Sequence, residues 1–165
     1  VRSATDQVKK GAEFAMEKEQ FEMTKVDRLI KKLEHEFGRN FNNLRDKLWS
    51  INLFLNDTRH QIVYLKIKEK KEISNDLSRF VCTSAIGPAD GLDHEQILRR
   101  NMNLDIGTVA IEDLKNRDGL EVAYLIFKAS HLVSTADYAE IWELITKTGS
   151  YADKLEKEFF SEDRH

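Results

Sequence analysis

The chain has one cysteine, one proline and no long apolar run, and each shortage closes off a class of protein. Cys82 stands alone among 165 residues, which excludes an internal disulfide, a CxxC redox pair and a cysteine metal cage. No stretch approaches the ~20 apolar residues of a membrane-spanning helix, and no signal-peptide pattern opens the sequence. There is no basic excess: 26 Lys and Arg face 29 Asp and Glu, a net charge of −3, so nucleic acid is not an expected partner. Neither GxGxxG nor GxxxxGK[ST] occurs, so no phosphate cradle is signalled. No repeat or Pro/Gly-rich linker divides the chain, and its length suits one domain with a proper core. The expected setting is a reducing, cytoplasmic compartment, with no membrane partner.

What is present is periodicity. Val26, Leu29, Ile30, Leu33 and Phe37 follow the i, i+3, i+4, i+7 spacing of one helix face, and Gly38 sits where a left-handed cap belongs. Thr24-Lys-Val-Asp27 has the form of a capping box before that run. Residues 1–23 read as a separate N-terminal extension, helical in tendency, with a weaker stripe of Val8, Ala12, Ala15, Met16 and Met23. This extension is native to the domain, a piece of a longer chain, or added sequence. The single domain spans 24–165.

Past Asn43 the period changes to two. Trp49, Ile51, Leu53 and Leu55 alternate with mostly polar neighbours, and Val63, Leu65 and Ile67 do so again after the turn chemistry of Asn56-Asp-Thr58. The two odd-numbered sets share a face only if opposed residue numbers sum to an even value, which a three-residue loop satisfies. Further strands are expected over 79–86, 104–114 and 120–129. Asp93 caps a short helix with Leu92, Ile97, Leu98 and Met102 on its apolar side. Ser134 caps a long final helix, with Tyr138, Ile141, Trp142, Ile145, Ala152, Leu155 and Phe159 along one stripe. The expected fold class is α+β: helix, three strands, helix, two strands, helix (αβββαββα), a five-stranded antiparallel sheet with the helices packed on one face.

This element order resembles the type III secretion chaperone-like fold, which includes the YbjN-like bacterial proteins. The residue-level echo lies in the strand Leu120-Glu-Val-Ala-Tyr-Leu-Ile-Phe127, the helix Ser134-Thr-Ala-Asp-Tyr-Ala-Glu-Ile-Trp-Glu-Leu144 and the later Tyr151-Ala-Asp-Lys-Leu-Glu156. The resemblance spans about residues 24–160. It implies a small dimeric protein without catalytic residues that binds a segment of another protein. It also implies a dimer interface on the second helix and the adjoining strand: Ile97, Leu98, Met102, Ile106, Val109 and Ile111.

Chemical motifs are sparse. Asp90, Asp93, His94 and Glu95 gather three carboxylates and an imidazole, types that ligate metals, but acids at a helix start more simply cap free N–H groups. Cys82 lies mid-strand, where cysteine behaves as a small core residue, and Ser84 lacks the Gly-x-Ser-x-Gly elbow. His35, His60, His131 and His165 show no ligand spacing, and Lys66, Lys68 and Lys70 read as a solvated strand face that deters edge pairing. No catalytic residue, metal ligand or cofactor site is therefore expected. The positive signal is surplus apolar surface. Leu48, Phe54, Ile62 and Tyr64 point away from the helix-facing set, and the strand from Leu120 is apolar on both sides. Leu48, Phe54, Ile62, Tyr64, Leu125 and Phe127 are the expected partner-binding residues of a non-enzymatic, homodimeric protein-binding module. The competing expectation is a small ligand sensor or enzyme with a pocket between sheet and helices.

Overall fold

The computed structural model describes residues 25–160, apart from 57, 73, 74, 116 and 117. The first helix, α1, covers 25–37; Leu33 is fully buried and Val26 nearly so, as the 3.6-residue stripe requires. Gly38 ends it at φ 53°, a left-handed value that a side chain resists, and opens the 3-10 turn Gly38–Asn40. The expected extension over 1–23 lies outside the described residues.

Eight described strands follow α1: β1 (Phe41–Arg45), β2 (Leu48–Asn56), β3 (Arg59–Lys68), β4 (Lys71–Glu72), β5 (Asn75–Asp76), β6 (Arg79–Pro88), β7 (Thr108–Lys115) and β8 (Glu121–Leu132). Helix α2 (His94–Asn101) lies between β6 and β7, and α3 (Tyr138–Phe160) follows β8. Six of the strands form one antiparallel sheet in the order β1-β2-β3-β6-β8-β7, while β4 and β5 pair as a two-residue hairpin apart from it. The sheet therefore has six strands where the sequence pattern predicts five. The added strand is β1, whose sequence Phe-Asn-Asn-Leu-Arg shows no alternation; it pairs with β2 through a register shift between Asn43 and Arg45.

The β2–β3 register meets the even-sum condition, with Trp49 opposite Leu65 and Ile51 opposite Val63. It does so by another route than a three-residue loop. Only positions 57 and 58 separate the strands, and a bulge between Phe54 and Asn56 supplies the missing residue. The Asn56 side chain accepts from Thr58 N at 3.1 Å and Arg59 N at 2.9 Å, closing the turn. Strand β7 begins at Thr108 instead of Leu104, because Gly107 turns the chain at φ 73° with no room for a Cβ against the Lys128 carbonyl. The cap of α3 is one turn later than Ser134: Asp137 and Glu140 each accept the other's backbone N–H at 2.8 Å, a reciprocal capping box.

One face of the sheet is covered. Ile51, Val63, Leu65, Phe80, Cys82, Leu125 and Phe127 are fully buried there, against Ile141, Ile145, Ala152 and Leu155 of α3. Each large side chain so buried stabilises the fold by about 1.5–3 kcal/mol. Gly149 lets α3 approach closely, since a Cβ there would lie 2.4 Å from Leu53 Cδ2. Helix α1 joins the same layer: Phe37 stacks on Trp142 with ring centres 4.6 Å apart, and the Lys32 ammonium sits 3.8 Å over the Tyr138 ring. Ile97 brings α2 onto the same core.

Candidate partner-binding face

Because the helices pack on one side, the even-numbered residues of β2 and β3 point to a side that no described helix covers. Phe54 is 63% exposed, Ile62 41% and Tyr64 40%, while Leu48 is half-buried. Register places Asn52 opposite Ile62 and Phe54 opposite His60, whose rings meet at 6.1 Å. Val81 and Ile126 also point this way, yet both are buried. On β8, Ile126 pairs with Ala110 between the two ends of the Lys128–Glu112 ion pair (2.5 Å). Exposed apolar surface is thereby concentrated on β2 and β3. Leu125 and Phe127, expected among the partner-binding residues, belong to the opposite face and are fully buried beneath α3. Strand β8 lies inside the sheet between β6 and β7; its Leu125 and Phe127 are buried under α3, and Ile126 on the other side is buried as well.

A second apolar area lies along α2 and β7. Leu98 is 67% exposed, Met102 84% and Ile111 42%, whereas Ile97 and Val109 are buried within the chain and Ile106 is half-buried. Of the six residues expected at a dimer interface, Ile97 and Val109 are thus core residues: one plugs α2 into the sheet, the other faces Phe127 across the β7–β8 ladder. The Asn101 side chain accepts from Val109 N at 2.7 Å and donates to Val109 O at 3.1 Å, so a side-chain amide takes the place of a neighbouring strand there.

The residue clusters with chemical potential resolve into structural roles. Asp93 accepts from Glu95 N and Gln96 N at 2.9 and 3.3 Å, and Glu95 pairs with Arg99; both are thereby committed to α2. Asp90 and His94 line an open hollow of about 620 Å³ bounded by Gly91, Ile111, Glu121 and Val122. Among the described residues no group of three or more His, Cys, Asp or Glu side chains is placed to hold a metal ion. Burial pushes the Cys82 thiol far above its usual range, which leaves it protonated and a poor nucleophile. Ser84 is fully buried and donates to the Ile62 carbonyl at 2.9 Å. No described helix is long and apolar enough to cross a membrane.

Two polar clusters are not evident as sites in the sequence. On the covered face, Gln61 donates to Glu156 at 2.6 Å and Arg59 to Asp153 at 2.5 Å, and Lys157 pairs with Asp153 at 2.8 Å. Burial raises the Asp153 pKa, but hydrogen bonds from Lys157 and Arg59 outweigh it and hold the carboxyl below its usual range. The available signal is polar residues at inward positions: Gln61 in line with Val63 and Leu65, Ser84 in line with Phe80 and Cys82. The second cluster joins Asp105 to α3. Tyr151 donates to Asp105, and Lys147 does so at 2.9 Å. The Tyr151 and Lys147 hydrogen bonds lower the Asp105 pKa, and the same contacts raise those of both donors. Tyrosine and lysine are both held in their protonated forms, the reverse of what a general base needs.

The chain matches no protein-family model, and no curated protein is significantly similar to it in sequence.

Proposed function

We propose that the chain is a non-enzymatic, chaperone- or adaptor-like protein-binding module that homodimerises and holds a segment of a partner protein on apolar surface. The observation that carries this reading is the exposure of Phe54, Ile62 and Tyr64 on a sheet face that no described helix covers. The residue-level resemblance of the last third to YbjN-like domains, in Leu120–Phe127, Ser134–Leu144 and Tyr151–Glu156, points the same way, with one more sheet strand before α2 than the αβββαββα order has. The cytoplasm suits a chain whose one thiol is buried. For the dimer, the exposed Leu98, Met102 and Ile111 supply an apolar strip beside the edge strand β7, which a two-fold axis would double.

Light scattering at tens of micromolar tests the dimer. A mass of about 38 kDa is expected, twice the 19.2 kDa of one chain. Leu98→Ser with Met102→Ser should return the monomer mass, whereas Ile62→Ser should leave the dimer intact and reduce binding of a hydrophobic dye. A wild-type mass of one chain overturns the dimer, and dye binding unaffected by Ile62→Ser overturns the partner face.

A further inference from the structure

The uncovered face has a charge as well as an apolar character. Register turns Arg45, Lys66, Lys68, Arg79 and Lys128 toward it, against one acidic residue of the six sheet strands, Glu112. Glu112 is already paired by Lys128, and Arg79 donates to Ser130 Oγ at 3.2 Å. Arg45, Lys66 and Lys68 have no ion pair among the described residues. The cations crowd one end. Arg45 lies opposite Leu48, Leu48 opposite Lys66, and Lys68 opposite Arg79, whereas Tyr64, Ile62 and Phe54 continue the face away from them. Arg45 and Lys66 share an open hollow of about 260 Å³ with Leu48; Asp46 borders it too, and Lys47 there is held by Glu69. A chain of net charge −3 thus sets a basic end and an apolar end side by side on one face.

What can lie there follows from backbone chemistry. Strands β2, β3 and β6 each have a neighbour on both sides, so their N–H and C=O groups are taken by the ladders. An occupant of this face finds no backbone partner and must satisfy its own groups, which a helix does and an extended strand does not. The covered face shows the same solution: α3 lies across β3, β6 and β8 with its backbone bonds internal. From His60 to Lys68 along β3 is about 26 Å, the length of a helix of about 18 residues. Charge complementarity then sets its chemistry. A second copy of this face would repel, and a purely apolar helix would strip water from the lysine ammoniums without returning a counter-charge.

We propose that the uncovered face takes an acidic amphipathic helix of a partner protein, with apolar residues over Phe54, Ile62 and Tyr64 and carboxylates at the end formed by Arg45, Lys66, Lys68 and Arg79. The inference rests on the reading of that face as a docking surface and adds the chemistry of what docks. The test uses the full chain and three labelled helical peptides of about 18 residues. All carry the same leucine stripe along their length and differ in one half, which bears glutamates, glutamines or lysines. In fluorescence anisotropy at roughly 50 mM salt, the glutamate peptide should bind about tenfold tighter than the glutamine one, the order that several exposed ion pairs supply together. Lys66→Glu with Lys68→Glu should reverse the ranking so that the lysine peptide binds best, a gain that an unfolded variant would not show. Ile62→Ser should weaken all three alike. Equal binding of the glutamate and glutamine peptides overturns the proposal, and dye binding that still depends on Ile62 would then leave the docking face itself standing. A labelled uridine 12-mer that binds tighter than the glutamate peptide, and is released by the same lysine changes, overturns it as well. So does loss of the dimer in that variant, which would seat a second copy here.

Discussion

Replacing Asp153 with asparagine separates charge from shape in the polar cluster between α3 and β3. The carboxylate is 11% exposed, while its partners Arg59 and Lys157 are 36% and 50% exposed. Two charge-assisted hydrogen bonds in a dry site would be worth about 1.5–3 kcal/mol each, but cations this open to water regain much of their hydration once released. Arg59 also keeps Glu156 at 3.5 Å as a fallback. The net loss should be about 2 kcal/mol at pH 7, or roughly 6 °C in Tm for a domain of this size. The pH dependence is the sharper test. The folded pKa of Asp153 is depressed, so its stabilisation is complete above the unfolded carboxyl value near ~3.9 and drains away as pH falls through the folded one. Urea denaturation of both proteins should show a gap at pH 7 that narrows once the pH falls below the unfolded carboxyl value and closes below the folded one. A gap of the same size at both ends would mean that the asparagine fails through shape or packing, and would refute the electrostatic account.

Gly149→Ala should destabilise the protein by about 1 kcal/mol, although alanine ordinarily favours a helix, because the new methyl lies 2.4 Å from Leu53 Cδ2 and 3.3 Å from Val63 Cγ2. Combining it with Leu53→Ala should cost less than the sum of the two single changes in chemical denaturation; strict additivity would refute the contact. Cys82 should be inert to a disulfide reagent at about pH 8 in the folded protein and react at once in denaturant, since the thiol is buried and its pKa raised. Rapid native labelling would refute that placement.

The parts of the fold legible in the sequence are those where one face is buried and the other wet. The β2 and β3 alternation, the α1 and α3 stripes and the Asp93 cap all have a period or a cap chemistry that reports burial directly. Strand β1 escapes because only Phe41 of its five residues is buried, leaving Asn42, Asn43, Leu44 and Arg45 without a pattern. Leu125 and Phe127 mislead for the opposite reason. A strand apolar on both sides looks like spare surface until the side that α3 covers is known, and that packing, with Tyr151 stacked on Phe127, is something no local pattern encodes. The polar cluster around Asp153 requires Arg59 and α3 to meet across 94 residues of sequence, a pairing invisible to spacing.

The position of β8 has a consequence for the order in which the molecule can assemble. It is the last of the described strands to be made, yet it lies between β6 and β7, so β7 has no place in the sheet until β8 exists. A chain emerging from the ribosome can close β1 to β3 and lay β6 against them, but α2 and β7 must wait unattached. The covered face must also wait for α3, which contributes nine buried residues and follows every described strand. Such sequence-distant closure slows folding and leaves apolar surface bare until α3 is complete. A truncation before 138 should therefore leave a collapsed, sticky chain and no smaller folded domain.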